Sequence, residues 1–294
     1  MTNPTSITVV RAMKVRPGHR TDLPEHLATE EPMEIRVGGP GQEPQPLAVT
    51  MRTPGHDFAL AVGFVLTEGV TSRTGVAAVS YCEAPADRDR PDTGDSRYNT
   101  VSVRLNHPWQ PSGPARRFAA TASCGVCGKS SIDEVEVGCA AVPPAAPVLA
   151  SVITLLPERL KQAQQAFART GGLHAAGLFG PCGELWCARE DVGRHNAVDK
   201  VIGATVLDPD TVKVSGDPAL ALAGSVLMVS GRVSFEIVQK AAVAGIGTIA
   251  AVSAPSSLAV AAADRLGVAV LAFVRGDTFN VYTHRERVAF SPDD

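Results

Sequence analysis

The spacing of hydrophobic positions along this 294-residue chain changes near its middle. In the first 150 residues, short apolar runs rich in β-branched side chains recur: "MEIRV" (33–37), "PLAVTM" (46–51), "GVAAVSYC" (75–82) and "NTVSVRL" (99–105), each of strand length. One helix interrupts them. After Thr53-Pro54-Gly55, the segment "HDFALAVGFVLTEG" (56–69) puts Phe58, Val62, Val65 and Leu66 on one face at helical spacing. Residues 84–98 are polar, proline-bearing and mixed in charge, which reads as a surface loop, and "AAVPPAAPVLAS" (140–151) reads as an extended linker.

Beyond the linker, helices and strands alternate. A helix over about 157–169, with Pro157 in its first turn, precedes a hairpin of "GLHAAGLF" (172–179) and "ELWCARE" (184–190), joined at Gly180-Pro181-Cys182-Gly183. A helix at about 194–206 follows, then strand 225–230, helix 233–244, strand 247–252, helix 256–266, strand 268–274 and a short strand 279–283. This order predicts a largely parallel, helix-covered sheet. The chain is therefore expected to be an α/β (α+β) protein with a smaller β-rich domain over 1–145 and an α/β domain over 146–294.

Composition narrows the partners. Hydrophobic residues make up 45%, enough for a real core, and 27 basic against 30 acidic residues leave a net charge of −3. No electrostatic footprint for nucleic acid or an anionic membrane follows from that balance. No stretch reaches the length of a membrane span, and the longest apolar run, Ala241–Val252, is broken by Gly245 and Gly247. The N-terminal residues have no basic flank leading into an apolar run. The expected setting is the reducing cytoplasm, where a CxxC is more often catalytic or metal-binding than structural.

Three strand ends in the second half carry residues suited to an anionic ligand. They are Ser230-Gly231-Arg232, Ser253-Ala254-Pro255-Ser256-Ser257, and Arg275-Gly276-Asp277-Thr278. Small residues let a ligand approach the backbone, helix N-termini favour anions, and Arg232 and Arg275 suit phosphate. Each loop alone has a plainer reading, with Ser256 or Ser253 as a helix cap and each arginine solvated. Three in succession point to a nucleotide or phosphate ester.

The element order of the second half is also that of the cytidine-deaminase fold. The zinc deaminase signature is absent, however: Ala176 stands where the glutamate should follow His174, and Pro181-Cys182 is followed next by Cys187. Cys182 and Cys187 then read as small buried hydrophobes and His174 as a hydrogen-bonded hairpin residue.

The chain's one CxxC lies in "ATASCGVCGKSS" (120–131), at Cys124 and Cys127. Cys82, Cys139, Cys182 and Cys187 offer no second pair at matching spacing, which argues against structural zinc. Gly125 and Gly128 discourage the helix that a thioredoxin-type pair would open. A reachable thiol in a loop, with Arg116, Arg117 and Lys129 nearby to favour thiolate, suits exchange with a sulfane sulfur.

Several long stretches closely resemble the FdhD family, sulfurtransferases accessory to formate dehydrogenase. They are "SCGVCGKSS" (123–131), "MRTPGHDFALAVGFVLTEG" (51–69), "GGLHAAGLF" (171–179), "REDVGRHNAVDKVIG" (189–203), "SGRVSFEIVQKAAVAGI" (230–246) and "AFVRGDTFNVYTH" (272–284). The resemblance implies a sulfur carrier that takes sulfur from a cysteine desulfurase. It would pass that sulfur to the molybdenum bis(molybdopterin guanine dinucleotide) cofactor before the cofactor enters formate dehydrogenase. By motif position Cys124 would carry the persulfide and Cys127 would assist. The cofactor-binding stretch would be Phe273, Val274, Arg275, Gly276, Asp277 and Thr278, with the dinucleotide phosphates near Ser230, Gly231, Arg232 and Arg275. GDP would mimic the bound cofactor, no structural metal is expected, the second domain would be a three-layer deaminase-like one, and the family suggests a homodimer. The rival classes are a thiol-disulfide oxidoreductase and a cofactor chaperone that moves no sulfur.

Overall fold

The computed structural model describes residues 5–82, 98–110, 118–120, 138–212 and 222–291. Cys124, Cys127, Arg116, Arg117 and Lys129, and the 84–98 segment except for Tyr98, lie outside the described residues.

The first half contains a five-stranded sheet in the order β5-β6-β3-β4-β7, built from β3 (Glu31–Gly38), β4 (Gln45–Arg52), β5 (Val76–Tyr81), β6 (Thr100–Leu105) and β7 (Phe118–Ala120). A separate hairpin of β1 (Ile7–Arg16) and β2 (His19–Ala28) precedes it, paired through ten registers about a Pro17-Gly18 turn. The expectation for the sequence included no element there, although Pro-Gly between two runs is a turn signal. Helix α1 (Asp57–Thr67) falls where the periodicity puts it, but it is buried on every side rather than on one face. Val62 and Val65 are inaccessible, and so are Leu60 and Ala61 on the other faces. A helix apolar all round needs cover all round. Here α4 (Arg194–Leu207) packs antiparallel on one side of α1, and β5, β6 and the helix Phe235–Ala244 cover the rest.

The second half is a six-stranded sheet in the order β10-β9-β11-β12-β13-β14. Its strands are β9 (His174–Phe179), β10 (Leu185–Asp191), β11 (Val226–Val229), β12 (Thr248–Ala251), β13 (Ala269–Arg275) and β14 (Thr278–Val281). Only β11, β12 and β13 pair in parallel, so the sheet is mixed rather than largely parallel. The two hairpins, β9-β10 and β13-β14, supply the antiparallel pairs. Tight turns make antiparallel neighbours, and only the helical crossovers enforce parallel ones.

Helix α2 (Ala150–Ala163) starts well before the expected 157, takes Pro157 into its interior, and is followed by a separate short α3 (Gln165–Thr170). Ile153, Leu156 and Leu160 recur at helical spacing and are fully buried, which outweighs the proline and the linker-like composition before it. Of the expected linker, residues 140–147 carry no helix or strand, and short β8 (Val148–Leu149) pairs with β15 (Val288–Ala289).

Alternation along β9 shows the layering. Ala175 and Phe179 join the α2 cluster, whereas Ala176 and Leu178 face the larger core shared by α1, α4, α5 (Phe235–Ala244) and α6 (Ser257–Leu266). That larger core also takes in Met33, Ile35, Val101 and Val103 of the first sheet. One continuous apolar cluster therefore couples the two halves.

Candidate functional site

Strand β10 is antiparallel to β9, and β9 to β11, so β10, β11 and β12 all point the same way. Each runs into a helix: β10 through Val192-Gly193 into α4, β11 into α5, and β12 into α6. Three helix N-termini thus converge on one edge of the sheet, with their free N–H groups and positive dipole ends. The Arg275–Thr278 loop differs from these three. Arg275-Gly276-Asp277-Thr278 is the turn of the β13-β14 hairpin and opens no helix, while β10–α4 takes the third place. A strand followed after two residues by another strand leaves no room for a helix.

The expected residues gather at this edge in different roles. Ser230 is bound into the sheet, its hydroxyl accepting from Ala175 N at 2.9 Å and its own N–H donating to Ala175 O at 3.0 Å. Gly231 is open: a Cβ there would come no closer than 3.5 Å to His174 Nδ1 and 3.6 Å to Arg194 Cδ. Arg232 is exposed. Ser256 has the plainer of its two readings, because its hydroxyl accepts from Ala259 N at 3.2 Å and caps α6. The Ser230–Ser234 and Ser253–Ser256 loops are laced together by Val233 N to Ala254 O and Ser256 N to Val233 O.

On the β13-β14 turn, Arg275 Nε donates to Val252 O at 3.3 Å and Thr278 Oγ1 to Arg275 O at 3.2 Å. Asp277 is exposed. Phe273 is 38% exposed and adopts φ 56°, a conformation that an aromatic residue rarely takes outside functional or tightly constrained positions. Val274 is fully buried with Met228 and Leu271, so its side chain belongs to the core and only its backbone faces the turn.

A cleft of about 820 Å³ opens beside this edge, lined by Lys161 and Phe167 from α2–α3 and by His174, Ser230, Val252 and Gly276. His174 is half-buried here at the open end of the hairpin, paired with Asp191, and its side chain has no hydrogen bond among the described residues. Burial first, then Arg194 and His195, hold its pKa below the ordinary histidine value. Cys182, expected to be buried, is exposed at the hairpin turn where no second layer covers it; Cys187 is in the core. Among the described residues no group of three or more His, Cys, Asp or Glu stands close enough to hold a metal ion. No described helix is long and apolar enough to cross a membrane.

The sequence reading gave no role to the polar residues of "REDVGRHNAVDK", which join the first sheet to this edge. Asp191, fully buried, accepts from Thr53 N (3.1 Å) and Lys200 Nζ (2.7 Å) on Oδ2, and from Gly193 N (2.8 Å) and Asn196 Nδ2 (3.0 Å) on Oδ1. Lys200 also donates to Thr53 O, and Asn196 to Met51 O. The signal for this was present: charged residues at Asp199 and Lys200 inside a helix with apolar residues on all sides need buried partners. Thr50 Oγ1 donates to Asn196 Oδ1 at 3.3 Å, and Thr50 is the residue with which Ala120 of β7 is in register. Ala120 stands four residues before Cys124.

His56 stands at the residue before α1 with φ 59° and no capping bond from its side chain, and it faces a smaller cavity of about 270 Å³ with Asp57, Tyr81 and Arg189. Burial, then repulsion from Arg189 and Lys200, lowers its pKa to about 4. An unfolded histidine keeps the ordinary value of 6.5, so between the two values the unfolded chain binds the extra proton. The native state is expected to lose stability as pH falls from 6.5 to about 4. An NMR titration of the His56 ring checks this, and a midpoint at the ordinary value would refute it.

Fold and site together define an α/β protein that presents three helix N-termini and a set of arginines along one edge of a mixed sheet. The chain belongs to the FdhD/NarQ family, whose sequence model matches residues 28–289. It is 49% identical over 270 residues to the sulfur carrier protein FdhD of Mycobacterium tuberculosis, covering 90% of this chain and 92% of that one. To the sulfur carrier protein FdhD of Streptomyces coelicolor it is 45% identical over 286 residues, covering 95% and 94%. A crystal structure of a formate dehydrogenase accessory protein from Desulfotalea psychrophila has the same fold, with a TM-score of 0.71 at 23% identity, covering 96% of this chain and 99% of that one.

Proposed function

We propose that this chain is a cytoplasmic sulfur carrier serving formate dehydrogenase. In this reading a cysteine desulfurase is the donor, and the molybdenum bis(molybdopterin guanine dinucleotide) cofactor is the substrate that receives the sulfur. Family membership and relatives named as sulfur carriers support it. The observation that carries it is the register of β7: the strand that leads into the cysteine motif runs parallel to β4, whose end is bonded to Asp191 and Asn196 at the candidate ligand edge. The thiol and the cofactor would then be served by one end of the molecule. The two halves, 1–145 and 146–294, divide the labour on this reading, the first bringing the cysteines and the second, deaminase-like in layout, holding the cofactor.

The chemistry is thiol exchange on a sulfane sulfur. The Cys124 thiolate attacks the outer sulfur of the donor's persulfide; the donor leaves as its thiolate, and Cys124 becomes the persulfide. Attack by the Cys127 thiolate on the inner sulfur would release hydrosulfide and leave a Cys124–Cys127 disulfide. At the edge, Phe273 is the exposed aromatic for a guanine base, and the backbone of Val274, Gly276 and Asp277 with Arg275 and Thr278 makes the turn beside it. Ser230, Gly231 and Arg232 lie at the phosphates. A homodimer is part of this reading.

Incubation with a cysteine desulfurase and cysteine is expected to add one sulfur by intact mass, mapped to Cys124. An adduct formed equally on Cys124→Ala sinks the carrier reading, and full formate dehydrogenase maturation by that variant would make the protein a chaperone. Reduction of disulfides without any donor would mark an oxidoreductase.

A further inference from the structure

Arg194 stands at the first position of α4, where helix dipoles favour acids, and a cation there costs stability unless something else uses it. Nothing among the described residues does. It has no hydrogen bond or ion pair with them, and its Nε is buried without a partner. Carboxylates at the same helix ends are engaged elsewhere: Asp191 holds Lys200 at 2.7 Å, and Glu236, on the first turn of α5, holds His195 at 2.8 Å. An arginine without a counter-ion among the described residues, at the meeting point of helix N-termini, is a local rule broken at the place where the fold would bind an anion.

The neighbourhood leaves space for that anion. A Cβ on Gly231 would sit in ordinary van der Waals contact with His174 Nδ1 at 3.5 Å and Arg194 Cδ at 3.6 Å, so both side chains stand over that glycine, and the open space lies in the cleft beside them. His174 lines the cleft of about 820 Å³ with its pKa held below the ordinary histidine value, and its neutral ring can donate one hydrogen bond to a ligand oxygen. Arg232, exposed on the loop that leads into α5, adds a further cation without an ion pair among the described residues.

We propose that Arg194 is a phosphate-binding residue, holding the diphosphate of a guanine nucleotide in the cleft beside His174 and Ser230, at the N-termini of α4 and α5. This rests on the guanine dinucleotide reading above and adds to it the residue and the loop that hold the charge. The hairpin turn at Arg275–Thr278, which has no helix behind it, is then left to the base and sugar.

The test is calorimetric titration of the full chain with GDP, guanosine and inorganic pyrophosphate, comparing wild type with Arg194→Gln and Arg194→Lys. Wild type is expected to bind GDP and pyrophosphate and to prefer GDP to guanosine. Arg194→Gln should lose about tenfold to a hundredfold in GDP affinity, the range for one charge-assisted phosphate contact, with guanosine unchanged. Arg194→Lys should retain part of the preference, since the charge stays and the fork is lost. Thermal melts of the three proteins verify that the glutamine variant is folded. If it is not, Gly231→Val, whose added methyls would project toward Arg194 and His174, should lose GDP and keep guanosine. GDP binding by Arg194→Gln at wild-type strength overturns the Arg194 assignment and leaves the nucleotide reading standing. Failure of wild type to bind either GDP or pyrophosphate overturns both.

Discussion

Asp191→Ala is expected to lower the stability of the folded chain by about 3–5 kcal/mol, the usual cost of removing one member of a buried ion pair. Its carboxylate is fully buried and engages four donors: Lys200 Nζ, Asn196 Nδ2 and the backbone N–H groups of Thr53 and Gly193. Removing it leaves the Lys200 ammonium, 1% exposed, with only the carbonyls of Thr53 and Glu190 for partners. Two backbone donors lose their acceptor as well. Asp191→Asn keeps the shape and should cost less. Urea unfolding followed by far-UV circular dichroism measures both. A loss below about 1 kcal/mol for the alanine variant would mean that water reaches Lys200, and that the pair does not hold the two halves of the molecule together.

Gly203→Ala carries the second large effect. The methyl would overlap the carbonyl oxygen of Ala59 and stand 2.7 Å from Gly63 N, both backbone atoms of α1. Backbone cannot rotate out of the way as a side chain does, so α1 and α4 would have to move apart along their whole contact. Overpacking costs about 1–3 kcal/mol where side chains yield, and here about 3 kcal/mol or more is expected. The same separation would loosen the buried Lys240–Asp199 contact at 2.9 Å and its hydrogen bonds to Thr67, which lie between α1, α4 and α5. Gly63→Ala meets Asp199 O in the same way, and because both changes force one shift the double variant should cost less than the sum. Gly231→Ala is the contrasting case, with no atom nearer than 3.5 Å, and should unfold like wild type. Matching melting temperatures for Gly203→Ala and wild type would show that the two helices are not locked at their glycines.

Most elements were legible from local pattern. Strands β3 to β6 and β9 to β14, and helices α1 and α4 to α6, fall within a few residues of where alternation and helical spacing put them, whereas β7 and the β1-β2 hairpin were not read. The misses have specific causes. Pro157 and the alanine–proline run before it hid the start of α2, because composition was weighed ahead of the Ile153-Leu156-Leu160 spacing. The third helix N-terminus, that of α4, was not among the three loops picked out, because Val192-Gly193 carries no arginine or serine to mark it. Arg194 and Asp191 drew no role from the sequence, and His174 was read as a hydrogen-bonded hairpin residue although its side chain has no hydrogen bond among the described residues; what singles these residues out is which partners they have or lack.

The residues alone determined the family, through long motifs whose side chains are quoted in order, and with it the expectation that Cys124 and Cys127 carry the chemistry. They also determined which segments could be strands or helices, since that depends on neighbours three or four positions away. Only the tertiary structure decided that the sheet is mixed, that α1 is sandwiched rather than exposed on one face, and that β10–α4 rather than β13–β14 completes the edge. It alone brought Thr50, Thr53 and Met51 against Asp191 and Asn196, residues about 140 positions apart. Such contacts are set by how layers stack and which charges must be paired once buried, and no local pattern encodes either.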